Sequence, residues 1–469
     1  MGSASYEFGL IGLGVMGRNF ILNVAQHGFS ALGYDLDPEK ATALVEEGKR
    51  VGTVEGTSDL KTFVRGLSRP RKIMLLVPAG PIVDQVIEDL LPLLESGDII
   101  VDGGNSYFED TDRREKYLHD HGIHFFGAGV SGGAEGARRG PSIMPGGSSE
   151  AYQELRPIYE AVAAKFKGEP CVAYLGPRSA GNYVKMVHNG IEYGLMQLTA
   201  EFYDILKSLG GFSNQELQQI FQQWNQGKLQ SFLIEITAEI LGQKDPLGEG
   251  SLVDKILDKA KQKGTGKWTS QNGMDLGVPV PTIDIAVSMR AISALKEVRQ
   301  QAEIHYPKPT SELDPKALRA ICEEALYFAF LLTYAQGFHQ LSAASREYEY
   351  HLDLATVARI WRAGCIIRAA ALDDIAGAYE NQATLENLVL SEAFIPLLKE
   401  TVPAGRKVLQ FAVASGIPMP ALSASLTYFD ALTTGRLPMN LVQAQRDYFG
   451  SHTYQRTDRD GVFHTNWGA

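Results

Sequence analysis

Gly12-Leu13-Gly14-Val15-Met16-Gly17 closes an apolar run, Tyr6–Gly12, and opens a helical pattern. No other stretch restricts the fold as tightly. Gly12 permits a tight turn, Gly14 leaves room for a pyrophosphate against the backbone, and Gly17 lets helix and strand pack closely. The first N–H groups of the helix then face an anion. This is a dinucleotide fingerprint in its strand-turn-helix setting, and it implies a doubly wound α/β sheet. The next apolar run, Ser30–Asp35, ends in an acid. Asp35 is expected to accept hydrogen bonds from ribose hydroxyls, and Asp37, ahead of Pro38, to cap the following helix. No arginine lies in this turn, and the nearest cation, Lys40, falls inside the helix. A carboxylate here repels a 2′-phosphate, so NAD is expected, with NADP possible but disfavoured.

Four further runs, Arg71–Leu76, Asp98–Asp102, His124–Ala128 and Ser142–Pro145, alternate with amphipathic segments such as Pro81–Leu94 and Asp110–His121. Such alternation reads as a parallel sheet covered by helices on both faces. The pattern changes at Gly176-Pro177-Arg178-Ser179-Ala180-Gly181. Beyond it helical periodicity dominates, in Val184–Gly210, Ser213–Gly227, Phe232–Leu241, Pro281–Ile304, Asp314–Glu347 and Leu354–Ala369. Gly264–Thr269 reads as a Gly-rich loop holding Lys267. From Leu437 the chain mixes aromatics, Arg and His without a clear period. The expected organisation is an α/β Rossmann domain over 1–179, a large all-α domain over 180–436 and a C-terminal tail over 437–469.

A chain of 469 residues, 44% hydrophobic, suffices for roughly two to four domains and a core without staples. Cys171, Cys322 and Cys365 do not make a disulfide framework and read as small buried hydrophobes. His119, His121 and His339 lack metal-ligand spacing, so no metal is expected. The net charge of −11 argues against nucleic acid or an anionic membrane as partner, and leaves room for a local basic cluster on a small anion. Met1–Glu7 carries neither a basic nor an apolar leader, and no apolar stretch reaches the ~20 residues of a membrane span. A cytoplasmic protein is expected.

In Lys185-Met186-Val187-His188-Asn189-Gly190-Ile191-Glu192-Tyr193, the residues Lys185, His188, Asn189 and Glu192 stand at i, i+3, i+4 and i+7. On a helix they share one face. Burial lowers a lysine toward a general base and raises a glutamate toward a general acid. Spacing alone leaves a solvated Lys–Glu stripe open as the alternative. Two Gly-rich loops after strands favour chemistry, because doubly wound sheets bind ligands there. Backbone N–H groups at Ser131-Gly132-Gly133 can hold a carboxylate, and Asn105, in Asp102-Gly103-Gly104-Asn105-Ser106, can bond a hydroxyl or the nicotinamide amide.

The strings DGGNS, VSGG, KMVHNGIEYG, QKGTGKWT and QAQRDYFGSHTY, in this order, resemble the 6-phosphogluconate dehydrogenases, decarboxylating members of the β-hydroxyacid dehydrogenase superfamily. The resemblance implies an NAD(P)-dependent homodimer of the pentose phosphate pathway, whose tails complete each other's active sites. It implies that Lys185 takes the C3 hydroxyl proton and that Glu192 protonates C1 of the enediol. It assigns Asn105, Ser131, Gly132, Gly133, His188 and Asn189 to the carboxylate and sugar hydroxyls. Tyr193, Lys267, Thr269 and Arg290 fall to the phosphate, with Arg446 and His452 supplied by the partner subunit. Gly12, Gly14, Val15, Met16, Gly17, Asp35, Val77, Pro78, Ala79 and Asn105 fall to the cofactor. The chain departs from NADP-dependent members where Asp35-Leu36-Asp37 replaces their Asn-Arg-Thr and Pro78 replaces a lysine, which again favours NAD. No longer family tail is expected beyond Trp467. A shorter relative, such as a 3-hydroxyisobutyrate dehydrogenase, lacks the cluster of Lys267, Arg290, Arg446 and His452. A silent NAD-binding sensor has no need of both Lys185 and Glu192.

Overall fold

The computed structural model describes residues 5–309 and 314–468. The expected lack of a leader therefore falls partly on Met1–Ala4, outside the described residues. The first half of the fold is a seven-stranded sheet of β1 (Phe8–Ile11), β2 (Ala31–Tyr34), β3 (Val54–Thr57), β4 (Lys72–Leu75), β5 (Ile99–Asp102), β6 (His124–Ser131) and β7 (Ser142–Gly147). The spatial order is β3-β2-β1-β4-β5-β6-β7. The chain reverses direction across the sheet between β1 and β4, so the Gly12–Gly17 turn sits at the switch point where such sheets bind ligands. Strands through β6 run parallel, while β7 returns antiparallel to β6. The sequence reading did not anticipate β3: Val-Glu-Gly-Thr is short and polar, as suits an exposed edge.

Beyond the sheet, apart from a small antiparallel pair, Lys165–Phe166 with Glu169–Pro170, the regular structure of the described chain is helical. The helix Ala180–Ser208 lies directly on β6 and β7, and glycines make that approach possible. A Cβ at Gly181 would stand 2.3 Å from the Met144 carbonyl oxygen, and one at Gly129 would stand 2.4 Å from the Lys185 Cβ. The stem of Lys185 thus rests on a bare strand. The helix Pro315–Glu347 packs behind this one and carries the centre of the helical core.

Four expectations change. Pro281–Ile304 forms two helices, Pro281–Ala294 and Lys296–His305, broken at Leu295. The helix from Leu354 ends at Ile360, not Ala369. The following segment bonds to the sheet instead: Ser142 N–H donates to the Gly364 carbonyl over 2.7 Å, and the buried Trp361 indole reaches the Met144 sulfur. Gly264–Thr269 is not a loop, because a helix, Thr265–Asp275, starts inside it. The tail holds a helix, Met439–Gly450. No helix among the described residues is long and apolar enough to cross a membrane.

Candidate active site

The cofactor side is built from the turn after β1. Gly12 has φ +97°, where a Cβ would also meet the Leu76 carbonyl at 2.6 Å. A Cβ at Gly17 would stand 1.9 Å from the Gly12 carbonyl, while Gly14 faces open space. That open backbone is the cradle a pyrophosphate requires. Beside it runs a cleft of about 480 Å³ lined by Gly12, Gly14, Asp35, Lys40, Val77 and Pro78. Val15 is exposed and Met16 half-buried at the start of the helix, and Ala79 is exposed next to Pro78. The residues present fit a dinucleotide.

The turn after β2 is not the bare pair of negative charges read from the sequence. Asp35 Oδ2 accepts from the Leu13 N–H at 2.8 Å and Oδ1 from the Asp37 N–H at 3.0 Å. Lys40 folds back to Asp35 Oδ1 at 3.3 Å. Asp37 caps the next helix by accepting from Glu39 N–H. Asp35 is thus largely committed within the protein, and a cation lies in the turn.

At the end of β5, the buried Asp102 accepts from the Gly104 N–H and from the Ser106 hydroxyl, which shapes the loop that exposes Asn105. Asn182, on the first turn of the long helix, donates to the Gly104 carbonyl and ties the two domains together at this loop. At the end of β6, Gly132 and Gly133 take φ of +108° and +63° and present backbone to solvent beside the buried Ser131.

The helix Ala180–Ser208 carries the polar stripe. Lys185 is 5% exposed and His188 is wholly buried. Burial pushes the Lys185 ammonium below its ordinary value, against the Glu192 charge that pulls it back. Burial pushes the Glu192 carboxyl up, against Lys185 and Arg290. Burial also holds His188 well below its ordinary value, with the Lys185 charge adding to the effect. The stripe is therefore not a solvated face. His188 Nε2 lies 3.1 Å from Ser131 Oγ and Nδ1 lies 2.9 Å from Asn189 Oδ1. The ring packs edge-on to Trp361.

Phosphate candidates gather further along. The Arg290 guanidinium stands over the Tyr193 ring at 4.7 Å, and Lys267 is exposed on the first turn of Thr265–Asp275. Thr269 is placed differently from expectation. It is wholly buried, and its hydroxyl donates to the Met186 and Thr265 carbonyls, so it joins two helices instead of facing the cleft. Arg446 and His452 are exposed on the tail: Arg446 donates to Gln443 and the His452 ring packs on Phe449. Among the described residues, no hydrogen bond or ion pair joins them to Lys267 or Arg290. The tail helix has Asp447 as its buried residue and leaves Leu441, Tyr448 and Phe449 exposed.

Two contributors escaped the sequence reading: Asn182 and Thr265 act through contacts 78 and 76 residues distant in the chain. Lys40, already the nearest cation in the sequence, reaches Asp35 five residues away.

Comparison with known proteins places this geometry. Residues 7–176 match the NAD binding domain of 6-phosphogluconate dehydrogenase, and residues 181–467 match the C-terminal domain of the same enzyme. A Bacillus subtilis relative, "6-phosphogluconate dehydrogenase, NADP(+)-dependent, decarboxylating", is 51% identical over 98% of this chain and 99% of its own. A Lactococcus lactis decarboxylating 6-phosphogluconate dehydrogenase is 50% identical over 99% of both chains. The solved Plasmodium falciparum 6-phosphogluconate dehydrogenase superposes with a TM-score of 0.95 at 46% identity, over 98% of this chain and 100% of that one. It is described in its apo form and in complex with NADP+ and with 6-phosphogluconate. These relatives overturn the expectation that NAD is preferred and NADP disfavoured. The physical premise had already weakened, because Asp35 is occupied by backbone donors and paired with Lys40. Throughout its length, the chain belongs to the family of decarboxylating, NAD(P)-dependent 6-phosphogluconate dehydrogenases.

Proposed function

We propose that the chain oxidises 6-phospho-D-gluconate to D-ribulose 5-phosphate and CO2 with NADP+ as acceptor, as a cytoplasmic enzyme of the pentose phosphate pathway. The observation that carries this reading is the pair on one helix face, Lys185 buried and Glu192 partly buried, with their proton affinities displaced in opposite directions. Groups whose environments push them apart in this way divide into base and acid. The lowered Lys185 amine takes the C3 hydroxyl proton while the C3 hydride leaves. The dinucleotide supplies one thing, acceptance of that hydride. The product is a β-keto acid, and the protonated Lys185 donates to its ketone oxygen as the C1–C2 bond breaks and C1 leaves as CO2. The electron pair from that bond forms an enediol. The protonated Glu192 then gives its proton to the terminal enediol carbon, and Lys185 recovers the proton from the enol oxygen.

The remaining residues orient the sugar. Asn105, His188 and Asn189, with the backbone at Ser131–Gly133, hold the carboxylate and hydroxyls. Tyr193, Lys267 and Arg290 hold the phosphate, which needs several cations and donors. Arg446 and His452 reach the site of a second subunit. The exposed apolar side of the tail helix supports that arrangement, since Tyr448 and Phe449 are 68% and 73% exposed in the single chain. Lys40, paired with Asp35, is the cation this turn offers to a 2′-phosphate.

The test is a steady-state assay with 6-phosphogluconate, comparing NADP and NAD while measuring CO2. Hydride transfer without CO2 release, or no turnover with either cofactor, sinks the reading.

A further inference from the structure

Arg114, on the helix Phe108–His119, is 1% exposed, and the proposed reaction gives it no part. Its guanidinium is in use on every side. Nε and Nη2 grip the Asp84 carboxylate at 2.8 and 3.0 Å, and Nη2 also donates to the Gly80 carbonyl at 3.0 Å. The third nitrogen, Nη1, reaches the Ser106 hydroxyl oxygen at 3.5 Å and the Asp102 carboxylate at 3.6 Å. Gly80 ends the loop after β4, and Asp84 lies in the first turn of the helix Pro81–Leu90. Asp102 and Ser106 bracket the loop after β5. One buried side chain thus ties together two neighbouring loops at the ligand-binding edge of the sheet. The first loop, through Val77 and Pro78, lines the cofactor cleft, and the second exposes Asn105. The loops already touch: a Cβ at Gly104 would stand 3.4 Å from the Val77 carbonyl oxygen.

The plainer role for Arg114 is charge compensation. Burial pushes the Asp102 carboxyl up, against the Ser106 hydroxyl, the Gly104 N–H and the Arg114 charge. A buried carboxylate needs a cation nearby. A lysine would meet that need. It would not reproduce the arrangement seen, in which one rigid fork takes a carboxylate with two nitrogens and reaches the neighbouring loop with the third. The grip on Asp84 fixes the plane of the guanidinium, and the plane fixes where Nη1 stands. That grip is mutual, because the Arg114 guanidinium holds the Asp84 carboxyl below its ordinary value.

We propose that Arg114, clamped by Asp84 and the Gly80 carbonyl, is a positioning residue that holds the Asn105 loop at its working distance from the cofactor loop. Being buried, it acts through Asn105. It therefore rests on the proposed function above, which gives Asn105 its contact with the ligands.

The test is a double-mutant cycle on kcat/KM for 6-phosphogluconate at saturating NADP, with Tm measured for each full-length variant. Arg114→Lys is expected to lose about tenfold, and Asp84→Ala, on the partly exposed side of the clamp, about threefold. In an Asn105→Ala background each is expected to cost less than about twofold, because the group they position is gone. Parental kinetics in Arg114→Lys show that the guanidinium only neutralises Asp102, and overturn the proposal. Undiminished losses beside Asn105→Ala overturn it too, since a general loosening of the fold adds to any other defect; they leave the proposed function standing. If Arg114→Lys does not fold, the Asp84→Ala cycle decides by the same two results. Parental kinetics in Asn105→Ala alone remove Asn105 from the proposed function and the role of Arg114 with it.

Discussion

The reacting stripe and the phosphate cluster carry similar residue types, yet the single chain treats them in opposite ways. Lys185, His188 and Asn189 are buried and interlocked with Ser131 and Thr265. Lys267, Arg446 and His452 are exposed on separate helices and on the tail. Burial gives the first group displaced proton affinities before any ligand arrives, which general acid–base chemistry needs. Exposure leaves the second group hydrated and open to solvent, which suits capture of an anion that arrives with its own charge. On the proposed reading, the acid–base pair lies within one chain, and the grip on the phosphate waits for closure by another element.

The largest expected effect tests the first half. Lys185→Met should cut kcat by about 10³–10⁴-fold with cofactor affinity nearly intact, measured by turnover and by cofactor titration. Near-normal turnover breaks the comparison at its root. Glu192→Gln should cut pentose release by about 10²-fold. The pH profile carries the sign. Lys185 works unprotonated, so the rate rises as pH climbs through its lowered value. Glu192 works protonated, so the rate falls as pH climbs through its raised value. Glu192→Gln should remove that alkaline limb, and an unchanged limb removes Glu192 from the acid role.

The second half is tested by mixing subunits. Arg446→Ala should raise KM for 6-phosphogluconate by about 10–100-fold, the loss of one charge-assisted contact. Mixed with Lys185→Met, it should regain activity, because one hybrid site then holds a parental Lys185 and a parental Arg446. No recovery in verified mixed dimers shows that each tail serves its own chain.

Much of the reacting half was legible beforehand because it is local. The glycine fingerprint and the i, i+3, i+4, i+7 stripe are spacings within one element. What escaped depends on contacts between distant segments. Gly264–Thr269 read as a loop because its glycines break helical patterning, yet the helix Thr265–Asp275 packs on the long helix through Thr269. The tail read as irregular, yet Asp447 organises it: its carboxylate accepts from Thr453, His464, Thr465 and Trp467, none within helical spacing. Those bonds hold Asp447 at about 2, against burial that raises it. The cofactor turn misled for the same reason, since the Asp35 partner Leu13 lies 22 residues earlier.

Glu201, on the same helix as Glu192, shows that burial alone does not make a catalyst. Burial pushes it to about 7, against donors from Ala421, Leu422 and Gln197. Those partners are structural, because the carboxylate caps the helix Pro420–Leu432. A raised folded value means that folding takes up a proton between the ordinary 4.5 and about 7. Its stabilising share is full below about pH 4.5 and fades as pH rises toward 7, on the order of 3 kcal/mol in all. Glu201→Gln should flatten the fall of Tm between pH 5 and 8 without reshaping the pH–rate profile. A reshaped rate profile erases the contrast with Glu192.

The smallest effect belongs to the exposed cation of the cofactor turn. Lys40 is half-exposed, and its pair with Asp35 at 3.3 Å is a surface contact. Removing such a pair costs stability little, ~0–1 kcal/mol. Its weight should appear in the ligand. Lys40→Ala leaves Asp35 without its cation, so a 2′-phosphate meets an uncompensated carboxylate. At about 1 kcal/mol for a screened pair, KM for NADP should rise about fivefold. KM for NAD should change less, because its ribose hydroxyls need an acceptor and no cation. The difference should shrink in high salt, where exposed charges are screened. Equal changes for the two cofactors, or none for NADP, show that another residue receives the phosphate and that Lys40 only neutralises Asp35.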